Sequence, residues 1–347
     1  MNSLAVVLKR FGVEVAEEEC AQLEIGLINT TFEVGGAYIL QRLHPIFTGE
    51  VNCDIDALVK PLTTAGVPVP SVVRTKSGKL WVELSGEGEA DGVWRMLTRL
   101  PGRSVSHVKS PKQARSAGVM LERFHRALLE TMHEFAFVRA GAHDTPKHME
   151  TLRAVIEGNQ GHRLEGEVSK VGVEIMAQWD SWGWVPKLPS RIIHGDPKIN
   201  NFLFAEDEET VTGVVDLDTM AWSSVDVELG DAVRSWCSTG DESCGEVGCD
   251  LDLFEAAMAG YLARGRAWLT PAELMSLPAA AERICLELAS RFAADALNEC
   301  YFRWDPDIAP TWGEHNLLRA KIQLSLAKDL AKKRGEMGSR LARLLRV

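Results

Sequence analysis

No stretch of the chain approaches the roughly 20 consecutive apolar residues of a membrane-spanning helix. The opening MNSLAVVLKRFGVEV places Lys9 and Arg10 after a short apolar run rather than before it, the wrong order for a secretory leader. There is no excess of basic charge either. Against 49 acidic residues stand 38 basic ones, a net charge of −11, which sets aside nucleic acid and anionic membrane surfaces as partners. A nucleotide is not set aside, because a bound magnesium ion supplies local positive charge on an acidic protein. The seven cysteines are odd in number and scattered. Cys237, Cys244 and Cys249 contain no CxxC pair and no nearby histidine, which favours free thiols over zinc and a reducing, cytoplasmic setting. No internal repeat and no low-complexity tract interrupts the 347 residues, a length that suits two lobes.

What is present changes character along the chain. Leu4, Val7, Leu8 and Phe11 recur at helical spacing. Ile28 to Val34 and Ala37 to Leu40 read as strands around Gly35-Gly36, followed by a helix from Asn52 to Ala65. Short strands are predicted over Val67–Val73 and Lys79–Leu84, and a longer one over Val93–Leu100 that breaks at Pro101-Gly102. Helices are predicted over Pro111–Glu130, Glu165–Trp182, Leu251–Arg266, Pro271–Tyr301 and His315–Arg346. A small β island sits among them at Arg191–His194, Asn201–Phe204 and Val211–Leu217. The expectation is an α+β chain of two lobes: residues 1–100, a small antiparallel β lobe ending in a hinge, and residues 101–347, mainly helical.

The chemistry concentrates in His194-Gly195-Asp196-Pro197-Lys198-Ile199-Asn200-Asn201, where an Asp and an Asn stand five residues apart between short strands. Fifteen residues beyond Asn201, Val214-Val215-Asp216-Leu217-Asp218 ends a β-branched run on two carboxylates. Phosphoryl transfer needs a carboxylate that orients the attacking hydroxyl and hard oxygen donors for magnesium. Either segment alone reads equally well as a polar turn or a solvated strand end; the two together, in this order, point to the chemistry.

HGDxxxxN followed by a strand and DLD resembles the aminoglycoside phosphotransferase and choline kinase superfamily. The resemblance implies a protein-kinase-like fold and the cofactors ATP and Mg2+. It assigns Asp196 as catalytic base, His194 as a buttress of the catalytic loop, and Asn201 and Asp216 as metal ligands. The segments GLINTTFEV, YILQRLH, HDTPKHME, NNFLF, DLDTM, LGDAVRS, LNECYF and EHNLLRAKIQL look like the N-acetylhexosamine 1-kinase branch, spread over nearly the whole chain. That branch phosphorylates the anomeric hydroxyl of GlcNAc or GalNAc, so the implied partner is a small sugar, held by a monomer or homodimer.

Other roles follow less directly. Gly26 to Thr31 can form a turn over the phosphates through its amides and the hydroxyls of Thr30 and Thr31, although it is no GxGxxG loop. The family's phosphate-binding lysine is replaced by Gln41-Arg42; Arg42 can serve through its guanidinium, or Gln41 can take the position. Backbone groups near Met96 and Leu97 are expected at the adenine edge. Asp218 is open to a second magnesium or to holding its loop, and Asp231 with Arg234 can pair across a helical turn. Asp144, Arg291, Tyr301 and His315 are the expected sugar contacts, with His143, Thr145, Asn298, Phe302 and Asn316 as further candidates. Trp179, Trp182 and Trp184 are expected to pack. The rival readings are a kinase of an aminoglycoside, choline or homoserine, and a nucleotide-binding protein without catalysis.

Overall fold

The computed structural model describes residues 3–23, 29–139, 141–182, 187–240 and 247–346. Ile28, Trp184, Cys244 and the Gly26 end of the expected phosphate turn fall outside the described residues. The chain divides into two compact units. One comprises Met1–Ser104, Arg123–Arg139 and Asn201–Ala221; the other comprises Val105–Glu122, Ala140–Asn200 and Trp222–Val347.

The first unit is built on an antiparallel sheet. Helix α1 (Ser3–Phe11) precedes β1 (Cys20–Leu23), β2 (Thr30–Val34) and β3 (Tyr38–Arg42), then α2 (Val51–Thr64). β4 (Val72–Val73), β5 (Val82–Leu84) and β6 (Gly92–Thr98) complete the sheet, in the order β1-β2-β3-β6-β4 with β5 also on β6. The apolar stripe of α1, Val7, Leu8 and Phe11, is buried with Val34, Leu40, Trp94 and Met96 from one sheet face. Strand β4 is shorter than predicted, because Pro68 and Pro70 have no amide to donate to a ladder. A second small sheet joins β7 (Arg103–Ser104), β9 (Phe202–Phe204) and β10 (Val211–Val214). Asp54 of α2 accepts from the amides of Ala136 and Phe137 at 2.8 and 3.0 Å and bonds His133 Nε2 at 2.8 Å. That buried carboxylate fixes the segment 133–137 to the helix.

The second unit is helical. It takes α3 (Pro111–Leu128) as far as Glu122, then α4 (Thr145–Gly158), α5 (Glu165–Asp180), α6 (Val225–Trp236), α7 (Leu251–Gly265), α8 (Pro271–Asn298) and α9 (Trp312–Arg346), with strand β8 (Arg191–Ile193) before α6. Helix α8 starts on a capping box, Thr270 with Glu273, and Pro271 occupies its first turn. Its residues are buried along most of its length, so it forms the unit's centre. Helices α4 and α6 lie outside the set predicted from apolar spacing. Helix α6 is buried almost all round, with Asp226, Glu228, Asp231 and Arg234 among its buried residues. Gly230 lets α6 approach α8, since a Cβ there would stand 2.6 Å from the Ala280 carbonyl oxygen. The indoles of Trp179 and Trp182 stack at 6.1 Å, with Arg334 over Trp182. No helix among the described residues is long and apolar enough to cross a membrane.

Candidate active site

In the second unit, strand β8 delivers the chain into the HGD loop, and α6 holds that loop by its backbone. The amides of His194 and Gly195 each donate to one oxygen of Glu228, both at 2.9 Å. The Ile199 amide donates to Ser235 Oγ at 3.1 Å, and Trp236 Nε1 donates to the Pro197 carbonyl at 2.8 Å. Gly195 sits at φ +81, a left-handed conformation that a side chain would strain. His194 is fully buried, and its Nδ1 accepts from the Asp196 amide at 3.3 Å. Its place is therefore inside the loop, against the backbone of Asp196. The expected pair of Asp231 and Arg234 forms within α6 at 2.7 Å.

The Asp196 side chain is partly exposed, and Lys198 Nζ lies 3.1 Å from Oδ1 and 3.3 Å from Oδ2. Burial pushes the carboxyl upward, but the Lys198 ammonium, His194 and Arg234 outweigh it and hold Asp196 below the usual carboxylate value of 3.8. Asp196 is thus a carboxylate at neutral pH.

The oxygen donors belong to the first unit. The Asn201 carbonyl accepts from the Val215 amide at 2.9 Å, which ties the end of the HGD loop to the residue ahead of Asp216. Asp216 is exposed and left-handed, at φ 63 and ψ 60, an uncommon conformation for a residue with a side chain. Carboxylate and amide oxygens are the hard donors that suit magnesium, so Asn201 and Asp216 fit that ion chemically.

Asp218 has a different environment. It is buried, and both its oxygens are taken by Arg95: Nη1 to Oδ1, and Nη2 to Oδ2 at 2.8 Å. Asn29 Nδ2 adds a bond to Oδ2 at 3.0 Å, while Asn29 Oδ1 accepts the His44 amide. Of the two roles open to Asp218, the one its bonds serve is to hold the loop.

The register of β3 sets Gln41 and Arg42 in different surroundings. Gln41 pairs opposite Arg95 and Arg42 opposite Trp94, so the pleat sends them to opposite sheet faces. Gln41 Oε1 accepts from Arg95 Nε and Nη2 at 2.9 and 2.7 Å, and its Nε2 donates to Thr31 Oγ1 at 3.1 Å. Arg42 is exposed on the α1 face, packed beside Gly92, and takes no part in this network. Thr31 is buried within it, and Thr30 pairs with Arg42 at the strand's start. Met96 and Leu97 lie inside β6, Met96 in the α1-facing core and Leu97 on the opposite face against Ile39 and Val72.

The expected sugar contacts have different partners. Asp144 caps α4, accepting the Lys147 amide at 3.2 Å. His315 is fully buried, and its Nδ1 accepts the Asp305 amide at 3.0 Å, so it serves the turn before α9. Asn316 is equally buried and donates to Asp295. Arg291 lies over the rings of Phe302 and Tyr301 at 5.5 and 6.0 Å, and Tyr301 is 43% exposed. Desolvation holds the Arg291 guanidinium below its ordinary value, against the opposing charges of Glu287, Asp231 and Asp196. Sequence reasoning missed Glu228, Ser235, Trp236, Arg95 and Asn29. The one available signal was the missing lysine at Gln41, which implied that a cation is supplied from elsewhere.

A family model described as "Phosphotransferase enzyme family" matches residues 19–268. Among solved structures, the GDP and kanamycin complex of APH(2")-IIia aligns with a TM-score of 0.62 at 16% identity, covering 92% of this chain and 97% of that one. The microcompartment-associated aminopropanol kinase gives 0.60 at 17%, covering 97% and 99%. The amicoumacin kinase hAmiN, complexed with AMP-PNP, Ca2+ and its ligand, gives 0.60 at 15%, covering 92% of each chain. These likenesses establish the protein-kinase-like fold, with an antiparallel sheet in the N-terminal region and helices in the C-terminal region.

Proposed function

Because the chain belongs to the phosphotransferase enzyme family and is a small-molecule kinase, we propose that it transfers the γ-phosphoryl group of ATP to the anomeric hydroxyl of an N-acetylhexosamine, GlcNAc or GalNAc. The observation that carries the phosphoryl-transfer reading is the loop clamped by Glu228, in which Lys198 pairs with Asp196. Asp196 accepts a hydrogen bond from the acceptor hydroxyl and aims its oxygen at the γ-phosphorus. Asn201 and Asp216 hold magnesium, which when bound neutralises charge on the phosphates. Residues 1–100 bind the nucleotide and residues 101–347 the acceptor. Positioning does most of the work, because the transition state is loose.

The sugar rests on the HDTPKHME and EHNLLRAKIQL segments and on charge. Lys198 pairs with Asp196 as a cation, which suits a neutral acceptor better than a polycation. An aminoglycoside or choline acceptor is the second reading, favoured by the kanamycin and aminopropanol named for the structural neighbours. Release of ADP with GlcNAc, GalNAc, plain hexoses, choline and kanamycin separates the two. The highest kcat/KM is expected with the N-acetylhexosamines; turnover confined to kanamycin or choline moves the acceptor. Asp196→Ala is expected to abolish turnover while Mg-ATP still binds, and near-normal turnover in that variant would sink the mechanism.

A further inference from the structure

His143, ahead of α4, places both ring nitrogens against groups that can only accept. Nδ1 is 3.0 Å from Glu287 Oε1, and Nε2 is 3.4 Å from the Gly195 carbonyl oxygen, the residue before Asp196. A neutral imidazole has one N–H and one lone pair, so it satisfies one of these partners and turns a lone pair on the other. Only the doubly protonated ring donates to both. We propose that His143 is held as the imidazolium and acts as a positioning residue for the Gly195–Asp196 step of the loop, an assignment that rests on the kinase reading above.

The surroundings support the charge. Glu287 is fully buried, and its second oxygen accepts from Thr145 Oγ1 at 2.7 Å, so its carboxylate needs a nearby cation. Arg291 Nη1, on the same helix, reaches only 4.0 Å. The charged groups facing His143 are Glu287 and Arg291 of α8 and Asp231 of α6. Its neighbour His148 is turned instead to the Ala142 carbonyl. Desolvation and the Arg291 charge lower His143, but the Glu287 bond, the Glu287 charge and Asp231 together raise it above 6.5. The same contacts hold Glu287 below its ordinary value against its own burial.

Through Nε2–H the ring pulls on the carbonyl of a left-handed glycine whose amide is gripped by Glu228. Gly195 is thus held at both its amide and its carbonyl, and loss of the second proton releases the carbonyl.

Ring-nitrogen NMR of the full 15N-labelled chain tests this without any acceptor, with His143 assigned by its loss in His143→Gln. Both nitrogens are expected to stay protonated above pH 6.5, and Glu287→Gln is expected to lower the titration. A ring with one bare nitrogen at pH 6.5 overturns the proposal. In turnover, His143→Gln is expected to lower kcat by about tenfold to a hundredfold, leave KM for ATP unchanged and remove an alkaline decline of kcat present in the wild type. An unchanged pH profile overturns the positioning role. Absence of turnover with every acceptor counts against the kinase reading, while the NMR result still decides the charge.

Discussion

Arg95 and Asp218, 123 residues apart, meet in a buried two-point ion pair. The pair joins the central strand β6 to the turn that carries Asp216. The remaining Arg95 donors reach Gln41 and, at 3.5 Å, Asn52, so every N–H of the guanidinium has an acceptor within the protein. The cation implied by the missing strand lysine is therefore present one strand over, and it is used to fix the turn.

Removing one partner of such a pair leaves the other charge buried and uncompensated. Arg95→Met is expected to cost about 3–5 kcal/mol in urea unfolding. The double change Arg95→Met with Asp218→Leu is expected to recover much of that loss, because both desolvated charges are then gone. Equal destabilisation by the single and double variants would show that the pair is not the cause.

The same turn shows what could be read in the sequence. HGDPKINN and DLD stand out in the sequence because carboxylate and amide side chains occur in them at fixed spacing. The grip on them does not. Glu228 acts on backbone amides 33 and 34 residues away, and an amide leaves no trace in the residue it belongs to. Arg95 looked like one more residue of a strand, and its role appeared only when the register set it opposite Gln41. Asp144 and His315 stand in suggestive segments, and in the structure Asp144 caps α4 while His315 accepts from the Asp305 amide. The long helices α8 and α9 are legible to within a few residues, and Thr270-Pro271 marks the start of α8.

Asp216 holds a left-handed backbone, which costs a residue with a Cβ roughly 1–2 kcal/mol relative to glycine. Asp216→Gly is expected to be as stable as the wild type or about 1 kcal/mol more stable, while Mg-dependent turnover is lost. Thermal unfolding and an ADP-release assay on the same preparation check both halves. A variant that is markedly less stable would mean that the conformation is not strained.

Gly230 tests the clamp from its far side. A Cβ there meets the backbone of α8 at Ala280 and also Ile284 Cγ1 at 2.9 Å. Gly230→Ala must push α6 away from α8, at about 1–3 kcal/mol, and α6 carries Glu228, Ser235 and Trp236 with it. Turnover is expected to fall beyond what the unfolded fraction explains. Stability loss with turnover per folded molecule unchanged would separate the packing from the loop.

The pairing of Lys198 with Asp196 makes a prediction about pH with a definite sign. Burial raises the Asp196 carboxyl, and Lys198 is the first of the cations that bring it below 3.8. A depressed carboxyl contributes stability above its unfolded value, lost as pH falls through the folded value; in the same way, the base form persists well into acid. Lys198→Met removes the ammonium and leaves the burial. The Asp196 pKa is then expected to rise, and the acid limb of kcat/KM to move to higher pH with it. The carboxylate is part-exposed and the lysine more so, so solvent screens the pair and the effect on unfolding free energy is expected to be small. A pH–rate profile of wild type and Lys198→Met between pH 4 and 8 reads the shift. An acid limb that stays in place would assign it to a group other than Asp196, whatever the loss in kcat.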